Sequence, residues 1–86
     1  MEIHSAEHAA VVNRLKRAQG QLAGVLRMLE SERQTDEVLH QLKAVSSALD
    51  RAGLALIASE WRRLIAGGGP TEDDLERLEK LFISLR

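Results

Sequence analysis

This chain has no cysteine, a single proline, and only two aromatic residues among its 86, Trp61 and Phe82. Without cysteine it cannot be a small secreted scaffold held by disulfides, nor can it carry a structural thiolate–metal site. Neither aromatic has the basic surroundings of a single-strand nucleic-acid stacking platform. Both fall on apolar faces at helical spacing, which predicts core or subunit-interface packing. No apolar run approaches the roughly 20 residues that cross a bilayer. The opening MEIHSAEH lacks the basic and apolar regions of a signal peptide, so a cytoplasmic protein without membrane attachment is expected. There is no strand alternation, no internal repeat, and no low-complexity stretch beyond GGGP. No serine or threonine is matched to a histidine and an acid in a recognisable motif. GGGP lacks the lysine and the following helix features of a nucleotide cradle. An enzyme is therefore not expected, and no cofactor is identified.

What is present is helical periodicity. Val11, Leu15, Ala18, Leu22, Val25 and Leu29 step by four and three in alternation, and so do Val38, Leu42, Val45, Leu49, Ala52 and Leu56. Each is a heptad seam. The second segment adds a stripe at Leu54, Ile57, Trp61 and Leu64, and a helix apolar on two faces must bury against more than one neighbour. Between the segments, Ser31 with Gln34 resembles a capping box, and Thr35 can cap a helix that opens with Asp36 and Glu37. Gly67 to Pro70 is the strongest breaker in the chain. Thr71 and Asp74 then restart a short helix with Leu75, Leu78, Phe82 and Leu85 on one side. The spacing predicts helices over 6–30, 35–66 and 71–85, preceded by a flexible N-terminus at 1–5 and with a glycine–proline linker at 66–70.

The predicted fold class is all-α: a three-helix protomer with two long antiparallel helices and a short third. Two long helices joined by a short turn make a hairpin, and two hairpins make a four-helix bundle. A chain of this length buries only about 60–65% of its unfolded surface, so oligomerisation is the remaining support. A four-helix-bundle dimer is expected, then a dimer-of-dimers tetramer on the remaining apolar face, with the third helix packing across a partner.

Charge is nearly balanced, with 12 Lys and Arg against 13 Asp and Glu. That weighs against nucleic-acid binding, for which a basic domain is the usual footprint. The distribution softens the objection, since Arg14, Lys16 and Arg17 lie in a stretch without an acid between Glu7 and Glu30. Arg14, Arg17 and Gln21, at i, i+3 and i+7, share one side of the first helix, while Lys16 and Arg27 project elsewhere. Such a row can contact successive phosphates, or it can simply be a solvated, charge-mixed face. Lys43 and Arg51 lie eight residues apart on roughly one side of the second helix. Their alternative is a surface ion pair, for Arg51 with Asp50 or Glu60. Gly20 and Gly24 sit mid-helix and turned from the seam, a choice that favours close approach by a helix or a DNA backbone over mere tolerance. His4 and His8 have the i, i+4 spacing of a metal pair, although solvated terminal histidines have the same spacing. His40 stands alone as a surface or interface residue.

The run NRLKRAQGQLAGVLRMLE from Asn13 to Glu30, followed by DEVLHQLKAVSSALDRAGLAL from Asp36 to Leu56, resembles the copper-sensing repressor (CsoR, with RcnR- and FrmR-like members) family of bacterial transcription factors. The resemblance covers about residues 11–65 and, more weakly, LERLEKLF. It implies three-helix protomers that assemble as dimers and disc-like tetramers and repress efflux or detoxification operons by binding double-stranded operator DNA. An effector releases that grip. On this resemblance residues 1–86 form one helical DNA-binding repressor domain, with Arg14, Arg17 and Arg51, and then Lys16, at the operator.

The sensor is where the chain departs from the family. The family's first thiol falls at Thr35, its helix-2 histidine at Glu60 and its second thiol at Leu64. A hydroxyl, a carboxylate and a hydrocarbon cannot make a soft copper site, so an effector other than thiolate-bound Cu(I) is expected. Relatives that respond to formaldehyde or persulfide also need a reactive cysteine. Two alternatives remain open: a protein-interaction subunit that co-assembles with a cysteine-bearing paralogue, and a non-thiol metal-responsive regulator using His4, His8 or Glu60.

Overall fold

The computed structural model describes residues 6–85. It contains three helices, α1 (Ala6–Glu30), α2 (Thr35–Ala66) and α3 (Glu72–Ser84), and no strand among the described residues. No described helix is long and apolar enough to cross a membrane. Residues 1–5, and with them His4, lie outside the described residues.

The turn between α1 and α2 differs in its chemistry from the expectation. Ser31 does not cap α2; its hydroxyl donates to the carbonyls of Arg27 (2.9 Å) and Met28 (3.3 Å), satisfying the open end of α1. Glu32 takes the left-handed conformation, φ 57°, and the Arg33 N–H donates back to the Met28 carbonyl at 3.0 Å. This is the geometry in which helices end on glycine, here adopted by a residue with a Cβ. The residue flanking α2 is Gln34, whose side chain makes no cap bond, while Thr35 is already helical. Asp36 and Glu37 occupy the first turn of α2 as expected. At α3 the expectation holds closely. The Asp74 N–H donates to Thr71 Oγ1 (3.1 Å) and the Thr71 N–H donates to Asp74 Oδ2 (3.0 Å), a reciprocal capping box. Those bonds hold the Asp74 carboxyl below its ordinary range, the Thr71 backbone donor contributing most. The reversal before α3 uses Gly68 and Gly69 at φ 112° and 102°, which L side chains rarely adopt.

Each heptad seam divides in two. Val11, Ala18 and Val25 of α1 meet Val38, Val45 and Ala52 of α2, and all six are at most 8% exposed. The intervening Leu15, Leu22, Leu29, Leu42, Leu49 and Leu56 remain 38–58% exposed. Residues seven apart return within about 20° on a helix, so the small side chains form one straight stripe along which the two helices close. The leucines stand a fraction of a turn further round and line one flank of the hairpin instead.

α3 is not isolated. It folds back antiparallel along the C-terminal half of α2 and makes no helix–helix contact with α1. Leu85 lies so close to Gly53 that a Cβ there would stand 2.9 Å from Leu85 Cδ2, while Leu78 is the buried residue of α3. The chain measures 54 × 26 × 14 Å. A helix with its side chains is about 10–12 Å across, so the protomer is a single layer of helices.

Candidate nucleic-acid interface

The flank opposite the leucines is built from different residues. Arg14, Arg17 and Gln21 of α1 face Ala44, Ser47, Ala48 and Arg51 of α2 across a groove. The alanines and the serine keep its floor low, so three guanidinium groups stand around an open trough. None of the three makes an ion pair among the described residues. The sequence explains why: residues 8–29 hold four basic side chains and no acid, and residues 38–49 hold Lys43 and no acid. Asp50 precedes Arg51 directly, and neighbours one apart on a helix do not face each other.

A second hollow adjoins the groove and shares Arg17 and Gln21 with it. This part is lined by Gly20, Gly24, Arg27, Met28, Ser31, Arg33 and Gln41. Arg27 is thus a groove residue, contrary to its expected projection elsewhere. Gly24, three residues before it, has no side chain, and Arg27 folds over the gap with Nη2 3.7 Å from where a Cβ would stand. Backbone angle alone points Arg27 outward, and its long side chain leans back into the groove; a Cβ at position 24 would only touch its guanidinium. Lys16 and Lys43 line neither part of the trough. Both positions fall on outer faces of their helices, so the structure separates them from Arg14, Arg17, Gln21 and Arg51.

The three positions at which the family's metal ligands fall are scattered or already engaged. Thr35 and Glu60 lie at opposite ends of α2, separated by 25 residues and so by about 37 Å along the helix. Glu60 accepts from Arg63 Nε–H at 2.6 Å and from an Arg77 Nη2 hydrogen at 2.7 Å, one on each carboxylate oxygen. Hydrogen bonds from Arg63 and then Arg77 pull the Glu60 carboxyl down to about 2, and the same contact raises Arg63. Leu64, one turn on, is a half-buried hydrocarbon. Glu7, beside His8, accepts from the Ser59 hydroxyl (3.0 Å) and from Arg62 Nη1 (3.1 Å), tying the start of α1 to α2. His8 is half-buried and His40 exposed. Among the described residues no three His, Cys, Asp or Glu side chains come together as a metal-holding group. Within one protomer these residues offer no open metal site: the one carboxylate at a ligand position is bound by two cations.

The family model for metal-sensitive transcriptional repressors matches residues 7–84. The chain belongs to that family. A copper-sensing transcriptional repressor, CsoR, of Bacillus subtilis (strain 168) is 30% identical over 78 residues, covering 91% of this chain and 77% of that protein. CsoR of Mycobacterium ulcerans (strain Agy99) is 48% identical over 48 residues, 56% of this chain and 41% of the relative. The match therefore spans less than half the length of such mycobacterial relatives. Among solved structures, the nickel-responsive transcriptional regulator InrS superimposes with a TM-score of 0.77 at 30% identity, covering 100% of this chain and 98% of that one. The relatives named here are transcriptional repressors and regulators. The all-α three-helix fold expected of a family member is the fold observed. The chain itself has no cysteine.

Proposed function

We propose that this protein represses transcription by gripping duplex operator DNA through the arginine trough, in an oligomer, and responds to an effector that is not thiolate-bound Cu(I). The observation that carries the reading is a set of guanidinium groups unpaired among the described residues, Arg14, Arg17 and Arg51 with Gln21 beside them, around a groove with a low floor. Unpaired cations on rigid helices are suited to phosphate contacts, which set register and orientation. Arginine's planar fork matches a phosphate oxygen pair better than a lysine point charge does. Lys16 and Lys43, on outer faces, contribute at most to the surrounding field.

Oligomerisation follows from the leucine flank. A stable domain closes at least two layers around a core, and a layer 14 Å thick leaves its leucines in water. A second hairpin laid on that flank completes a four-helix bundle, with both arginine troughs facing outward. Trp61 and Ile65 on α2, and Phe82 and Ile83 on α3, all 40–55% exposed, are further apolar surface on these two helices. Pairing of dimers there makes a tetramer.

Duplex DNA carrying the promoter of the chain's own gene should bind with an affinity that falls steeply with salt, the logarithmic slope rising by about 0.9 per phosphate neutralised. Absence of any salt-dependent complex would reject this reading. Co-purification with a cysteine-bearing paralogue, together with no promoter complex, would favour the interaction-subunit alternative, for which the same leucine flank would serve. The His and Glu metal-sensor alternative is weakened by the double arginine clamp on Glu60. Unchanged metal stoichiometry in Glu60→Ala and His4→Ala removes it.

A further inference from the structure

The half of the trough beyond Gln21 has features that the Arg14–Arg51 half does not explain. Gly20 lies on its wall, and a Cβ at Gly20 would meet nothing within 4 Å. Packing inside the protomer therefore does not require glycine there, although glycine within a helix is destabilising relative to alanine. One turn on, the only atom near a Gly24 Cβ would be the Arg27 guanidinium. Arg27 makes no ion pair among the described residues, whereas Arg33 at the far rim is neutralised by Glu37 at 2.8 Å. The positive stretch thus has a definite end. From Arg14 to Arg27 it rises about 20 Å along α1, close to six nucleotide steps of one strand at about 3.4 Å each.

We propose that the trough over Gly20 and Gly24 is a second phosphate seat for the same duplex, with Arg17 and Arg27 as guanidinium donors and the glycines as clearance for the sugar–phosphate backbone. This rests on the DNA-binding reading above and extends it to residues that no resemblance assigned. Gln21 and Gln41, on either side, carry amide donors suited to phosphate oxygens. The glycine spacing would also let another helix approach closely. In that arrangement, however, Arg17 and Arg27 of two copies would be pressed together without an acid between them, which like-charge repulsion opposes. A polyanion relieves that charge.

The test is fluorescence anisotropy with a 40-base-pair mixed-sequence duplex between 50 and 200 mM NaCl. Arg27→Ala is expected to bind about tenfold more weakly at 100 mM and to lower the salt slope by about 0.9 for each subunit touching the duplex. Lys80→Ala, which removes one positive charge from α3, should leave the slope unchanged. Gly20→Leu is expected to raise the melting temperature, because leucine is the better helix former, and yet to bind at least tenfold more weakly. Opposite signs on stability and binding are not produced by a damaged fold.

The proposal is overturned if Arg27→Ala behaves like Lys80→Ala, or if Gly20→Leu binds as wild type. It is also overturned if Gly20→Leu splits the oligomer in sedimentation, for then the glycines seat a helix. Arg14→Ala combined with Arg51→Ala separates the two levels. If that pair also binds as wild type, the DNA reading itself fails; if it alone loses binding, only the second seat falls.

Discussion

The basic side chains of this protein fall into two regions treated in opposite ways. Around the middle of the hairpin, Arg14, Lys16, Arg17, Arg27, Lys43 and Arg51 have no carboxylate partner among the described residues. Elsewhere, at the α1–α2 turn, along the C-terminal part of α2 and on α3, Arg33, Arg62, Arg63, Arg77 and Lys80 are each paired with Glu37, Glu7, Glu60, Glu60 and Glu76 respectively. A near-neutral chain can thus present a locally cationic surface, because its paired acids lie elsewhere: Glu7 and Glu60 join helices, and Glu37 and Glu76 pair within a turn of their partners. Overall charge is a poor guide to binding when the two signs are segregated. The paired cations are engaged within the fold, and the unpaired ones are those the proposed function assigns to DNA.

That division can be broken by exchanging its consequences. The largest effect is expected from Arg51→Ala, which should weaken promoter binding by about ten- to hundredfold for each phosphate that Arg51 holds, as net hydrogen bonds to charged groups are worth about 1.5–3 kcal/mol. Thermal stability should hardly move. A large drop in melting temperature with DNA affinity intact would invert the assignment of the two regions.

Next comes the reversal that brings α3 to Glu60. Gly68→Ala forces a Cβ into φ 112° and should destabilise by about 1–3 kcal/mol, read by chemical denaturation at fixed protein concentration. DNA affinity measured well below the transition should be retained. Gly68→Asn, which tolerates positive φ better, should recover part of the loss.

Arg77→Ala acts on the same region more gently. Arg77 is half exposed, and a surface pair is worth up to about 1 kcal/mol. This variant should loosen α3 without altering the salt dependence of DNA binding. Acid tests the clamp independently. The Glu60 carboxyl is lowered from 4.5 to about 2 in the folded protein, so its stabilisation is complete above 4.5 and is lost as the pH falls toward 2. Emission of the neighbouring Trp61 should follow that loss in wild type, and the step should be absent in Glu60→Gln.

The smallest effect is a gain. Glu32→Gly relieves a left-handed residue at φ 57° and should stabilise the hairpin by up to about 1 kcal/mol, seen as a small rise in melting temperature. Since this turn aligns both walls of the trough, DNA affinity should stay level or rise slightly.

Much of the fold was legible because helical signals are local. The seam periodicity and the GGGP breaker place α1 and α2 at their observed bounds, and Thr71 with Asp74 starts α3 as the sequence predicts. The expectation at α2 missed because Ser31 can serve either the helix behind it or the one ahead, and the carbonyls of Arg27 and Met28 claimed it. The site was legible to the extent that helical angle decides it: Arg14, Arg17 and Gln21 share a face on spacing alone. Arg27 was not, because the helical angle sets only where its long side chain starts, not where its guanidinium comes to rest. Arg51 could be matched to Arg14 only once α2 was folded against α1, and Lys43, eight residues earlier, was carried to the outside.

Periodicity, capping and composition act over a few residues, so three helices, their boundaries to within a residue or so, the two heptad seams and the lack of thiols could be read along the chain. Packing of the helices against one another settles which half of each seam is core and which is exposed flank, which arginines converge on one trough, and that Glu60 is held between Arg63 and Arg77. The reason is geometric. Antiparallel packing chooses a single line of closest approach along each helix, and every side chain's role then depends on its angle from that line, which no single segment specifies alone.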